Sequence, residues 1–171
     1  PLPLRYNRGK AEKSRLERIM DNPCTIREQE PQPYLAIRTR TSMGQMGSVL
    51  GESYGAIMAY LGEVGHQPAG AAFAAFHNQD MQDMDVEIGM PTAVQLEGRG
   101  KIYGSVIPAG RVAECVYTGS YRQMEPAYQQ LAEFVAEKGE EATGVAYEFY
   151  IDDPSEKAQE EVRTLIVFPL K

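Results

Sequence analysis

Glu148 has more chemistry within reach than any other residue of this chain. It stands in the run Gly144-Val-Ala-Tyr-Glu148-Phe-Tyr150-Ile-Asp-Asp-Pro154, where nearly every neighbour is apolar or aromatic. An ionised carboxylate among aromatic rings is costly to desolvate unless a cation or hydrogen-bond donors meet it. So placed, it can hold a cationic ligand or act as a general base. The plain alternative is a hairpin strand whose Glu points at water. Strand alternation puts Glu148 and Tyr150 on one face, and Tyr147 and Phe149 on the other.

An internal repeat separates Glu148 from an ordinary strand residue. Tyr54, Ile57, Leu61, Gly65, Gly70, Phe73 and Phe76 recur 74 residues later as Tyr128, Leu131, Val135, Gly139, Gly144, Tyr147 and Tyr150. Each half then closes on an apolar run ending in proline. Pro91 and Pro169 lie 78 residues apart, so the second hairpin holds four extra residues, within 152–161. Seven matches at one offset, with glycines and aromatics in register, argue for a duplicated unit. At that offset Glu148 falls on Ala74 and Tyr150 on Phe76. One half keeps a small apolar residue where the other carries the acid, which leaves room for a ligand.

The elements that must position these residues follow from periodicity. Residues 1–22 are polar and basic, an N-terminal arm or linker remnant with a short helix over Lys10–Met20 that Asn22-Pro23 stops. Cys24–Glu30 and Tyr34–Thr41 read as strand, broken by a Pro31-Gln-Pro33 turn. Met46–Val64 is an amphipathic helix with Gly65 just past its end. A hairpin of Ala69–His77 and Asp83–Met90 follows, then strands Ile102–Ile107 and Arg111–Tyr117. Ser120-Tyr-Arg-Gln123 has the form of a capping box, but Pro126 would break a helix begun there, so it reads as a short turn over Tyr121–Met124; Pro126 opens the second helix, which Gly139 closes. Gly144–Ile151 and Val162–Phe168 form the last hairpin. Tyr54, Tyr128, Phe73 and Tyr147 are expected in the core. The pattern predicts an α+β domain over residues 23–171. It is built from two strand–helix–strand–strand halves, about 23–92 and 101–171, related by a pseudo-twofold, with antiparallel sheets, two helices and a groove at their junction.

Composition narrows the function. The chain has 17 Lys and Arg against 24 Asp and Glu, a net charge of −7. That argues against direct nucleic-acid binding by this chain and suits a cationic ligand. No run approaches 18 apolar residues, so no membrane span is expected. The start shows no secretory apolar region, so a cytoplasmic location is expected. Cys24 and Cys115 form no metal pattern or disulfide framework and are expected to be reduced. His66 and His77 stand apart, so no metal is expected. Gly44-Gln-Met-Gly47 and Gly98-Arg-Gly100 lack the setting of a phosphate loop, so no cofactor is expected.

Several motifs occur in one order: Gly119-Ser-Tyr121 followed by Pro126, Tyr128 and Leu131; the Gly144 strand with Glu148-x-Tyr150; Asp153-Pro154; and the closing Thr164…Pro169 run. From about Cys24 to the end the chain resembles the gyrase-inhibitor-like (GyrI-like) small-molecule-binding domain of the SOUL and GyrI-like superfamily. This is the effector-binding domain of AraC-type and MerR-type multidrug-responsive bacterial transcription regulators. The resemblance implies a ligand cleft where the halves meet, in which a Glu at the Glu-x-Tyr position meets small lipophilic cations among aromatic rings. It assigns that part to Glu148, Tyr150 and Tyr121, with Ala74, Phe76, Met46, Met90 and Phe168 completing the expected lining. Many relatives place a Trp in the second helix or cleft; this chain has none, and Phe134 stands near that place. The implied role is an effector-sensing or sequestering domain, with a DNA-binding domain upstream or the protein standing alone. Some stand-alone members are hydrolases that open strained cyclopropane-containing compounds. In that alternative Glu148 activates water and a tyrosine, Tyr121, donates or positions the proton. A third reading, a protein partner such as gyrase, rests on fold-level analogy.

Overall fold

The computed structural model describes residues 24–171. The arm expected over residues 1–22 lies outside the described residues. Runs of alternating or continuous apolar character become β1 (Cys24–Gln29), β2 (Gln32–Thr41), β3 (Phe73–Phe76), β4 (Met84–Pro91), β5 (Tyr103–Ile107), β6 (Gly110–Thr118), β7 (Ala146–Tyr150) and β8 (Arg163–Pro169). The two stretches with helical periodicity become α1 (Met46–Glu63) and α2 (Glu125–Glu137). Gly65 and Gly139 follow these helices at φ 75° and 69°, the left-handed backbone that glycine enters without a Cβ penalty.

All eight strands join one antiparallel sheet, in the order β1-β6-β8-β7-β3-β4-β2-β5. The expected separate sheets are therefore one continuous, curled sheet. The sequence repeat reappears as hydrogen-bond register. Phe73 opposite Gly89 in the first half corresponds to Tyr147 opposite Val167 in the second. Tyr34 opposite Pro91 corresponds to Val112 opposite Pro169. The halves are thus β2-α1-β3-β4 and β6-α2-β7-β8, each strand–helix–strand–strand.

Two strands fall outside that unit, and they are exchanged. β1 runs almost directly into β2 but pairs with β6; β5 runs into β6 but pairs with β2. Each half completes its edge with a strand from the other half's side of the chain. The break between β1 and β2 is also shorter than the expected turn. Pro33 lies inside β2, and its carbonyl accepts from the Thr92 N–H at 2.9 Å. A second result of the register fixes the site. In the β3–β7 ladder Ala74 lies directly opposite Glu148, its own repeat equivalent. A residue can face its equivalent only where the pseudo-twofold passes between them.

The two faces of the sheet do different work. Tyr34, Ala36, Phe73, Ala75, Ile107, Val112, Tyr147, Leu165 and Val167 form one cluster. It draws on strands near both ends of the sheet, so the sheet curls about this face. The other face carries the helices. Ile57, Tyr60 and Leu61 of α1 pack on Leu35, and Ala127, Leu131 and Val135 of α2 pack on Cys24, Ala113, Cys115 and Ile166. Cys24 and Cys115 are opposed across the β1–β6 ladder as buried free thiols. Burial raises both thiols, Cys115 up to about 12.

Phe73, fully buried, lies across Gly89 on the neighbouring strand. A Cβ at position 89 would sit 2.4 Å from the Phe73 ring. Gly89→Ala is expected to cost about 1–3 kcal/mol by overpacking. Urea unfolding should show a lower midpoint at an unchanged m value.

Candidate functional site

Alternation along β7 turns Tyr147 and Phe149 toward the inner cluster and Glu148 and Tyr150 toward the helices. On that side Ala74, Met46 and Ile88 are buried in one cluster, with Tyr54, Phe76 and Tyr150 packed against it. From α2 the Tyr128 hydroxyl donates to Glu148 Oε2 at 2.5 Å. From β7 itself the Tyr150 hydroxyl donates to Oε1 at 3.2 Å. Among the described residues Glu148 forms no ion pair with a basic side chain. Burial pushes its carboxyl up from the usual carboxylate range, and the two phenol hydrogen bonds partly offset that rise. The same burial, together with the Glu148 charge, pushes Tyr150, Tyr128 and Tyr54 up as well. They are hydrogen-bond donors across the physiological range.

Two buried carboxylates differ in surroundings from the partly buried Glu148. Glu114 and Glu87 lie on the opposite face of the sheet, opposite Val167 and Ala75 in their ladders. Glu114 is met by the Arg27 guanidinium at 2.8 Å. Glu87 accepts from the Tyr34 hydroxyl at 2.8 Å and from Tyr103, with His77 Nε2 3.5 Å away. Glu148 is met by phenols alone, on the face between the helices.

The rim comes from the turn between β6 and α2. Gly119, at φ 142°, donates its N–H to the Val162 carbonyl, and a side chain there would press on the Tyr117 hydroxyl. The 3-10 turn Tyr121–Gln123 follows. The Ser120 hydroxyl accepts from the Arg122 N–H at 3.3 Å, two residues on, and caps the short turn expected over Tyr121–Met124. Pro126 is the second residue of α2 rather than its first. The turn sets the Tyr121 ring edge-on to Tyr150, centroids 5.5 Å apart, with Tyr121 41% exposed. Beneath it, Thr164 pairs laterally with both Tyr150 and Tyr117. Its hydroxyl is fully buried and has no hydrogen-bond partner among the described residues.

The structure thus gathers Glu148, Tyr150, Tyr121, Ala74, Phe76 and Met46 around the axis. Phe168 forms a second layer, its ring 5.7 Å from that of Tyr128. Met90 is not brought there; it packs with Leu35, Ile57 and Leu61 near the end of α1. Phe134 does not stand in for a cleft Trp. It lies under the Lys138 ammonium at 5.5 Å and flanks a surface hollow beside Cys24 and Ile26. Tyr128, expected in the core, is the strongest partner of Glu148, because an inward position on α2 near the axis faces the cleft as well as the sheet. Tyr54, its equivalent, donates to the Phe73 carbonyl at 3.0 Å, where its own half offers no acid. Tyr121 meets Glu148 by way of the Tyr150 ring rather than by a direct hydrogen bond. Among the described residues no group of three or more His, Cys, Asp or Glu could hold a metal, and no helix is long and apolar enough to cross a membrane. An open hollow of about 690 Å³ along Gln95–Gly104 lies away from all of this and holds no buried charge.

Comparison with known proteins gives these residues a context. Residues 22–171 match the family model of the GyrI-like small molecule binding domain. No curated protein matches the chain by sequence. The chain resembles EcmrR in a cryo-EM structure of its DNA complex, with TM-score 0.77 and 23% identity; the match covers 98% of this chain and 63% of EcmrR. It also resembles the isolated EcmrR C-terminal domain, with TM-score 0.68 and 23% identity over 86% of this chain and 96% of that one. A third neighbour is SAV2435 bound to tetraphenylphosphonium, with TM-score 0.62 and 10% identity over 86% and 93% of the two chains. At these identities the likeness is one of fold.

Removing the charge at position 148 has a defined stability signature. A carboxyl raised by burial holds its proton more firmly in the folded chain than in the unfolded one. Its contribution to stability is present in acid and is lost as pH rises through the folded value. Glu148→Gln is therefore expected to raise Tm at pH 8, by roughly 2–4 °C for each kcal/mol recovered, with the gain shrinking toward pH 4. Differential scanning calorimetry across that range checks it. Tyr128→Phe removes a bond that favours the ionised form and should push the Glu148 carboxyl higher still, readable by carboxyl 13C NMR.

Proposed function

Because the chain belongs to the GyrI-like small molecule binding domain family, we propose that it binds small lipophilic cations over Glu148, as an effector-sensing or sequestering domain. The observation that carries this reading is a desolvated carboxylate met, among the described residues, only by phenol hydroxyls. Such a group is a charge held ready for a counterion that no described residue supplies. A cation seated against it gains Coulomb energy in a poorly screened site. The faces of Tyr150, Tyr121, Tyr54 and Phe76 add roughly 0.5–2 kcal/mol each where a ring meets the cation. Tyr121, the most exposed of these rings, stands where the ligand enters. Ala74 across the axis leaves the volume that a second large side chain would fill. The overall negative charge raises the local concentration of cations.

The fold neighbours are consistent with this. SAV2435 was determined with tetraphenylphosphonium, a lipophilic cation, and EcmrR joins a domain of this fold to DNA recognition in a longer chain. By the same logic we place the present domain as the effector-binding part of a regulator whose DNA contacts lie elsewhere. A bound cation stabilises the ionised Glu148 and reverses the effect of burial on its carboxyl. Binding therefore releases a proton at pH between the carboxyl's cation-bound and ligand-free values, and affinity falls as pH falls through that range.

Tetraphenylphosphonium and neutral triphenylphosphine oxide, titrated by calorimetry, test the reading. The cation should bind more weakly as pH drops from 8 to 5, while the neutral compound should show little change. Glu148→Gln should weaken the cation by on the order of thirty- to a thousand-fold, the 2–4 kcal/mol of a lost desolvated ion pair. Equal affinity of both proteins for both compounds would sink the assignment.

A further inference from the structure

We propose that Thr164 is the second polar contact of the Glu148 cleft and selects ammonium ligands that carry an N–H over quaternary ones. The inference rests on the cation reading above and adds the ligand class. Its basis is a buried hydroxyl that no described group satisfies. Thr164 Oγ1 is fully buried and has no hydrogen-bond partner among the described residues, whereas buried polar groups are satisfied in the great majority of cases.

Register fixes where that hydroxyl stands. On β7 and β8, Glu148 lies opposite Ile166 and Tyr150 lies opposite Thr164. Glu148 and Thr164 are therefore diagonal neighbours on one face. Such pairs have Cα atoms about 7–8 Å apart and Cβ atoms closer. One nitrogen at about 3 Å from each of two oxygens spans up to about 6 Å between them, a gap that side chains on such a diagonal can present. Tyr150 borders the same square, and Tyr121 covers it from the rim.

The chemistry follows from what each group can accept. Glu148 requires positive charge and accepts one ligand N–H. A threonine hydroxyl accepts a second hydrogen bond from a ligand N–H. A protonated primary or secondary amine, with two or more N–H groups, satisfies both at once, whereas the single N–H of a tertiary amine goes to the carboxylate. A quaternary ammonium or phosphonium satisfies the carboxylate, covers the hydroxyl with carbon and leaves it unpaired. A site built to hydrogen-bond a ligand discriminates against the analogue that lacks the donor, because its own buried polar atom is then stranded.

The test uses one matched pair: protonated N-methyl-4-phenylbenzylamine, which carries two N–H groups, and the trimethyl(4-phenylbenzyl)ammonium ion, titrated against wild type, Thr164→Val, Thr164→Ser and Glu148→Gln. Wild type should prefer the N–H ligand by at least tenfold, about tenfold of it from one hydrogen bond of a charged donor to Thr164. Thr164→Val keeps the shape and should cut the preference about tenfold without weakening the trimethyl ion. Thr164→Ser should retain it, and Glu148→Gln should weaken both cations. Since no described group satisfies the hydroxyl, Thr164→Val should be at least as stable as wild type; a lower Tm would show the hydroxyl already engaged and overturn the proposal. No preference in wild type, or an undiminished one in Thr164→Val, overturns it too, whatever Glu148 does. If Glu148→Gln leaves both cations at wild-type affinity while Thr164→Val still cuts the preference, the carboxylate reading fails and the Thr164 contact stands.

Discussion

A carboxylate with no counterion among the described residues, set on the pseudo-twofold axis between two helices, governs the arrangement around it. Desolvation alone would expel it. The Tyr128 and Tyr150 hydroxyls hold it, and they do so without neutralising it, because phenols this buried keep their protons. Substituting lysine or arginine for either tyrosine would satisfy the carboxylate permanently and leave nothing for a ligand to do. The tyrosines are thus a compromise between folding, which needs Glu148 solvated, and binding, which needs it uncompensated.

The division of labour between the two faces of the sheet makes that compromise tolerable. On the inner face the aromatic and aliphatic cluster is continuous from one end of the curl to the other, and the Glu114 charge there is matched by Arg27. Stability is concentrated where nothing needs to enter. On the helix face the packing is divided into separate groups under each helix, and the strip between them carries the unsatisfied chemistry. Thr164 and Glu148 occupy that strip.

Much of this was legible in the sequence, because repeats and periodicity survive translation into structure. The offsets of 74 and 78 became ladder register, since a duplicated strand carries its pairing pattern with it. Alternation around Glu148 separated the cleft side of β7 from the core side, and Gly65 and Gly139 marked the helix ends through a backbone that only glycine adopts easily. Other features carry no local signal. Nothing in the composition of β1 or β5 tells which half it will border, because partner choice in a sheet is a long-range matter. Tyr128 read as core because a helical stripe records burial and does not distinguish a sheet beneath from a cleft alongside. Met90 was placed in the lining through the family resemblance, yet its register carries it to the far end of α1. Thr164 was hidden in a run of apolar neighbours, where its hydroxyl looked like a β-branched core residue.

The meeting of Ala74 and Glu148 across the ladder has a consequence for how such a site can arise. In a symmetric dimer of identical half-length chains, whatever stands at this position stands there twice. Two glutamates would then face each other at about 5 Å, competing for one proton and for the same space. Two alanines would give an apolar contact with no charge to offer. A single acid beside an empty place exists only once the halves are covalently joined and free to diverge. The join between the halves is therefore a precondition of the site's chemistry: it let one copy lose its side chain while the other kept a charge.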